Sequence, residues 1–170
     1  MQLKDRLARQ LKATRKFSES ALATFQKPED WIFRVHPTAN HAIWLVGHIG
    51  NVDNAVLKML RSPAAIDKLD WMALFGPNSE PKNELTAYPA PEELLQFFRE
   101  RRERFLEVLE QQTDESLAQP VPPGSPSIFS DVSSVFDRLS FHETMHMGQL
   151  TVVRQALKHP RIVIFPRPPQ

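Results

Sequence analysis

Two histidines four residues apart, His142 and His146 in the string FHETMHMGQL, are the residues best equipped to do chemistry. On a helix, positions i and i+4 share a face one turn apart, the spacing at which two imidazoles reach one metal ion. Stepping by threes and fours gives Val132, Val135, Leu139, His142, His146, Gln149, Val153 and Ala156, so both rings stand where core hydrophobes are due. An upstream segment repeats the substitution: the row His41, Leu45, His48, Val52, Ala55, Met59 puts His48 on a core-facing stripe. A single inward histidine is ordinarily a hydrogen-bonded core residue. Three at one depth are costly to desolvate unless neutral rings share a divalent ion.

HETMH also fits the HExxH pattern of zinc proteases, in which the glutamate is the general base. The extended metzincin form needs glycine at Gln149 and histidine at Val152, and residues 147–170 contain no Asp or Glu to serve as a downstream ligand. The third ligand must come from upstream, with His48 the natural candidate. The chain has no cysteine, which excludes disulfides, thiolate metal sites, iron–sulfur clusters and a cysteine nucleophile. Nickel, zinc, iron and manganese all remain compatible with nitrogen ligands.

The elements that must carry these rings are marked out by proline. The 15 prolines leave four free windows, 1–27, 38–62, 92–119 and 127–159, each with apolar residues at helical period. Leu3, Leu7 and Leu11 mark the first; Leu94, Phe98, Phe105 and Leu109 mark the third. Pro91 followed by Glu92 and Glu93 reads as a helix start, and Ser130 or Ser127 as the cap of the last helix. Trp71 to Phe75 predicts a short helical turn inside the long connection 63–90, and Arg161 to Phe165 an extended apolar tail lying on the bundle or on a partner subunit. Gly47, Gly50 and Gly148 lie inside the windows within two residues of a proposed ligand, at about 1 kcal/mol each relative to alanine, which fits close helix approach or room for substrate. The expectation is all-α: an up-down four-helix bundle with a long connection between its second and third helices.

At 170 residues the chain predicts one domain over 1–170. With 21 basic against 20 acidic residues its net charge is +1, which gives no global field for nucleic acid or an anionic membrane. Arg99, Arg101, Arg102 and Arg104 are interleaved with Glu100 and Glu103 and read as a solvated helix face rather than a nucleic-acid patch. The N-terminus mixes charge with leucine and resembles neither a signal peptide nor a membrane span, so a cytoplasmic protein is expected.

NHAIWLVGHIGNVD (residues 40–53) and HETMHMGQLTVVRQAL (residues 142–157) together resemble the DinB-like (YfiT-like) four-helix-bundle metalloproteins. The family pattern is similar to W-x-x-x-H in the second helix and H-E-x-x-H-x-G-Q-L-x-x-x-R in the fourth, and the resemblance extends over essentially the whole chain. Many members carry H-E-x-H-H, where this chain has Met145. The resemblance implies metal ligands at His48, His142 and His146, a homodimer, and a pocket between helices two and four. It also implies the chemistry of characterised members, which are S-transferases and isomerases using bacillithiol, mycothiol or glutathione.

Three neutral histidines leave an ion its full charge and open positions, as a catalytic site requires. Two chemistries are open: activating a low-molecular-weight thiol for transfer to an electrophilic small molecule, or activating water for hydrolysis. A non-catalytic, stress-related metal protein is the third reading. Glu143 is a candidate general base or a partner to a ligand, with an interhelical salt bridge the plain alternative. Trp44 is a candidate pocket wall, Gln149 a candidate orienter, His41 a candidate substrate contact at the mouth, and Arg154 either a carboxylate binder or one arm of a surface ion pair.

Overall fold

The computed structural model describes residues 2–162, which form seven α-helices and one 3-10 turn and, among the described residues, no strand. The helices are α1 (Leu3–Leu22), α2 (Pro28–Trp31), α3 (Ala42–Met59), α4 (Leu69–Phe75), α5 (Pro91–Glu110), α6 (Asp114–Leu117) and α7 (Val132–Ala156), with the 3-10 turn at Leu85–Ala87. Each proline-free window holds one long helix. The third window splits, because α5 stops at Glu110 and α6 begins at Asp114 under the Thr113 cap. Pro91 occupies the first turn of α5, where its missing N–H costs nothing, and Glu92 and Glu93 follow it at the positive end of the helix. The last helix is capped by Asp131 instead of Ser130 or Ser127: Asp131 is extended directly before Val132, and its Oδ1 accepts from the Ser134 amide at 2.8 Å. Ser130 donates to that same carboxylate at 3.2 Å.

The most extensive contacts pair α3 with α5 and α1 with α7, while α3 also meets α7 and α1 meets α5. The pairings fix direction. Gly50 lies against Phe97 and Phe98 and Asp53 bonds Arg102, so α3 and α5 run parallel. Gln10 reaches Asp137 and Ser18 reaches Glu143, so α1 and α7 are parallel as well. Lys4 lies by Glu110 and Glu19 by Arg99, which makes α1 and α5 antiparallel. The expected alternation of up and down is thereby corrected: α3 is followed by a parallel neighbour. An 18-residue helix is roughly 27 Å long at 1.5 Å per residue, and the chain must travel back that length before α5 begins. Residues 60–90 make that return, and they contain α4 and the 3-10 turn, as the WMALF segment predicts.

Two apolar clusters fill the interior. One gathers Leu22, Trp44, Ile49, Phe75, Phe98 and Met147; the other gathers Leu11, Leu57, Phe105, Phe136 and Leu139. On each long helix one buried charge falls between them: Arg15, Asp53, Arg102 and Glu143. Arg101 and Arg102 are thus buried, not part of a solvated face; Arg102 lies on the step from Phe98 to Phe105, and Arg101 donates to the Ala64 carbonyl at 2.6 Å. Of the expected tail, Arg161 and Ile162 are neither helix nor strand, with Ile162 packed on the first cluster. Residues 163–165 lie outside the described residues. Among the described residues, no helix is long and apolar enough to cross a membrane.

Candidate metal centre

Helices α3 and α7 cross where their core stripes carry imidazole instead of hydrocarbon. His48 Nε2 lies 3.2 Å from His142 Nε2, and His146 Nε2 lies 3.0 Å from that same atom. All three ligand atoms fall within 4.8 Å of one another. Two nitrogens bound to one zinc at about 2.1 Å, with an angle between 90° and the tetrahedral value, stand roughly 3.0–3.4 Å apart. The two spacings to His142 fit a shared divalent ion.

The tautomers make the same point. His48 Nδ1–H donates to the Phe75 carbonyl at 2.7 Å, one of the carbonyls left over at the end of α4. His146 Nδ1–H donates to Gln149 Oε1 at 3.3 Å, and the Asn40 amide donates to that oxygen at 3.1 Å, which holds it as an acceptor. With both Nδ1 atoms protonated, His48 and His146 each turn an Nε2 lone pair toward His142. A single proton on His142 Nε2 satisfies only one of them. A cation among the three satisfies all.

Burial keeps the rings neutral. It is the leading cause that lowers His48, and it pushes His146 down to about 4, with His48 beside it adding to the effect. His142 is pushed to about 3, first by burial and then by the neighbouring His146 and His48. Neutral imidazole is the form that binds metal.

The surroundings sort the remaining candidates. Trp44 stacks on His48 with ring centroids 4.6 Å apart and planes 9° from parallel, and its indole donates to Ser79 Oγ at 3.0 Å. It walls the site. Gln149 orients His146, as the hydrogen bond shows. His41 is fully buried and caps α3: Nδ1 accepts from the Trp44 amide at 3.2 Å and Nε2–H donates to the Lys82 carbonyl at 2.8 Å. The substrate contact expected of it is corrected, since both nitrogens are spent tying α3 to the 60–90 connection. Arg154 is corrected too: it is buried, neither a surface ion pair nor a substrate clamp, and donates to the Pro160 carbonyl at 2.7 Å and to Ala21 and Thr24 on α1 and just beyond it.

Glu143, next in sequence to His142, faces away from the triad into the gap between α1 and α5. It accepts from Arg15 Nε at 2.9 Å and from Ser18 Oγ at 2.6 Å, and pairs with Arg102 Nη2 at 2.7 Å. Burial alone would raise its carboxyl, but Arg15 and Arg102 outweigh that and hold it below the ordinary range. Of the readings open from sequence, the structure displays the interhelical salt bridge. Gly47 is glycine for a packing reason, because a Cβ there would overlap the Phe75 ring whose carbonyl orients His48. Gly50 makes similar room for Phe97, whereas Gly148 faces open space.

Sequence reasoning missed Phe75 and Ser79, which no pattern announces, and Asn40, which stands just before the cap. It also missed Arg15 and Asp53, although Leu7, Leu11, Arg15, Ser18, Leu22 is a core row with a charge in it.

An all-helical chain whose crossing helices bring three imidazoles onto one point defines a class of helical proteins with a three-histidine site able to hold a metal ion. A family model described as the DinB superfamily matches residues 10–150, a stretch that includes all three rings, and the chain belongs to that superfamily. No curated protein matches the sequence.

Proposed function

We propose that this protein is a four-helix-bundle metalloenzyme of the thiol-dependent S-transferase type, with His48, His142 and His146 holding a divalent ion. The observation that carries the reading is the pair of Nε2 lone pairs turned on a third imidazole nitrogen, an arrangement with more acceptors than protons. When bound, the ion supplies Lewis-acid chemistry, favouring the deprotonated form of a thiol or water brought to it. The chain's own residues hold His48 and His146 in register through the Phe75 carbonyl, Gln149 and the Trp44 stack, and burial keeps all three rings neutral. Glu143 is committed to two arginines, so proton removal falls to the thiol's own ionisation. Resemblance to the family supports a homodimer acting on a small molecule, and a cytoplasmic setting is part of the same proposal.

The test is bound metal by mass spectrometry in wild type, His48→Ala and His146→Ala, followed by turnover of an electrophile with zinc, nickel, iron or manganese, with and without a thiol. Near-stoichiometric metal lost in both variants, with turnover that needs thiol, supports the reading. Turnover without thiol would replace it with a hydrolase, and metal without turnover would leave a metal-binding protein.

A further inference from the structure

His142 is the half-buried member of the triad, and a pocket of about 200 Å³ opens beside it between α3 and α7. Val52 and Val56 of α3 form one side, and Ile128 and Met145 stand at its rim about half exposed. Exposed hydrocarbon of this kind around a concave site is what a small apolar ligand covers. Only two of the pocket's lining residues are polar. One is His142, and the other is Arg138, one turn earlier on α7. Arg138 is exposed and, among the described residues, has no hydrogen-bond or ion-pair partner, although Arg15, Arg101, Arg102 and Arg154 are all engaged. Four residues separate Arg138 from His142, about 6 Å along the helix axis.

We propose that this pocket takes a small organic acid, its apolar body on Val52, Val56, Ile128 and Met145, its anion on Arg138 and its opposite end against His142. The arginine is a fixed cation at the edge of an otherwise apolar wall, which a carboxylate complements and a neutral ligand does not. The volume lies below the ~300–1,000 Å³ of ordinary ligand pockets, which suits a body of a few carbons. As a substrate class this deepens the metalloenzyme reading and rests on it for the reaction, but the binding itself does not require the ion.

Titration calorimetry with hexanoate and with hexanamide, on metal-loaded and on chelated protein, tests it. Hexanoate is expected to bind about tenfold more tightly than hexanamide in both forms, the low end for a hydrogen bond to a charged group. In Arg138→Gln the ratio falls to about one, and Arg138→Lys keeps part of it. Met145→Glu, on the exposed rim, takes apolar contact from both ligands and weakens hexanoate the more, because the new carboxylate repels its anion. Equal affinities in wild type overturn the proposal, as does a preference that survives Arg138→Gln. A preference that disappears on chelation overturns it too, because the carboxylate is then held by the metal. Metal content measured in the same samples reports separately on the three-histidine site, so that site's failure is not confused with the pocket's.

Discussion

His142 and Glu143 are neighbours in sequence, yet each belongs to a different buried polar region. Glu143 joins Arg15, Asp53 and Arg102, one charge from each long helix, two of each sign. Asp53 accepts from Arg15 at 3.0 Å and from both Nε and Nη2 of Arg102 at 2.9 and 3.0 Å. Arg102 Nη1 is the one atom of the four charged groups without a partner. Apart from that atom, the carboxylates and guanidiniums are satisfied within the protein. His142 joins His48 and His146, whose far nitrogens are hydrogen-bonded and whose near nitrogens both turn lone pairs on the His142 ring. A buried polar group whose partners are all in the chain builds the fold. One whose partner is missing from the chain is positioned for a ligand.

The largest effect that separates the regions should come from Glu143→Ala. It leaves two guanidiniums buried against one carboxylate, a change that costs on the order of 3–5 kcal/mol. Urea unfolding should show that loss, while the folded fraction retains its metal. Replacing Arg15, Asp53, Arg102 and Glu143 together by hydrophobes of similar volume should restore much of the stability, because it removes the charges in compensating pairs. If Glu143→Ala instead abolished metal binding in folded protein, the two regions would be one.

Chelation should act on the other region alone. A ligand at 100 times its dissociation constant stabilises by about 2.7 kcal/mol, so wild type should lose thermal stability on metal removal and regain it with zinc. His142→Ala should show neither change. An apo protein that melts with the holo protein would mean the three rings form a core network.

The contrast between the regions also explains what could be read from sequence. The histidines were legible because imidazole at an apolar step is conspicuous, and the four windows were legible because proline breaks helices. Arg102 was hidden by its neighbours: among Arg99, Glu100, Glu103 and Arg104 it looks like one more surface charge, and only its step from Phe98 to Phe105 betrays it. Helix direction was not legible either, since apolar period fixes which face is buried but not which way a neighbour runs. The gap between α5 and α6 contains no glycine or proline, and its one signal is Thr113 as a cap before Asp114 and Glu115, inside a window that period reads as continuous. Asp131 outcompeted the serines as a cap because it sits in the extended position directly before the helix, a boundary that period alone does not locate to one residue.

Acid should divide the regions in a smaller, graded way. In the folded apo protein His146 and His142 titrate near 4 and 3, whereas in the unfolded chain they take protons near 6.5. Stability from this source is therefore complete above pH 6.5 and is lost as pH falls toward 4, because the unfolded state binds protons first. Glu143 has the same sign further into acid: Arg15 and Arg102 hold its carboxyl low, so the ion pairs stay charged after a free carboxylate would be protonated, and their stability is lost only as pH falls through that lowered value. Unfolding curves of His142→Ala/His146→Ala against wild type between pH 7 and 4 check the sign, with the double variant the flatter of the two.

The smallest effect is the most specific. Gln149 is exposed and contributes little packing, so Gln149→Leu should leave unfolding unchanged within about 0.5 kcal/mol. It nevertheless removes the acceptor that holds His146 in the Nδ1–H form. Outer hydrogen bonds of this kind are worth about 10–100-fold in metal affinity, and an exposed one belongs at the low end, near tenfold. Competition with a chromogenic chelator reads that change directly. Gln149→Glu retains an acceptor for both His146 and Asn40 and should keep or strengthen binding, so a matched loss in both variants would mean that Gln149 does not act through that acceptor.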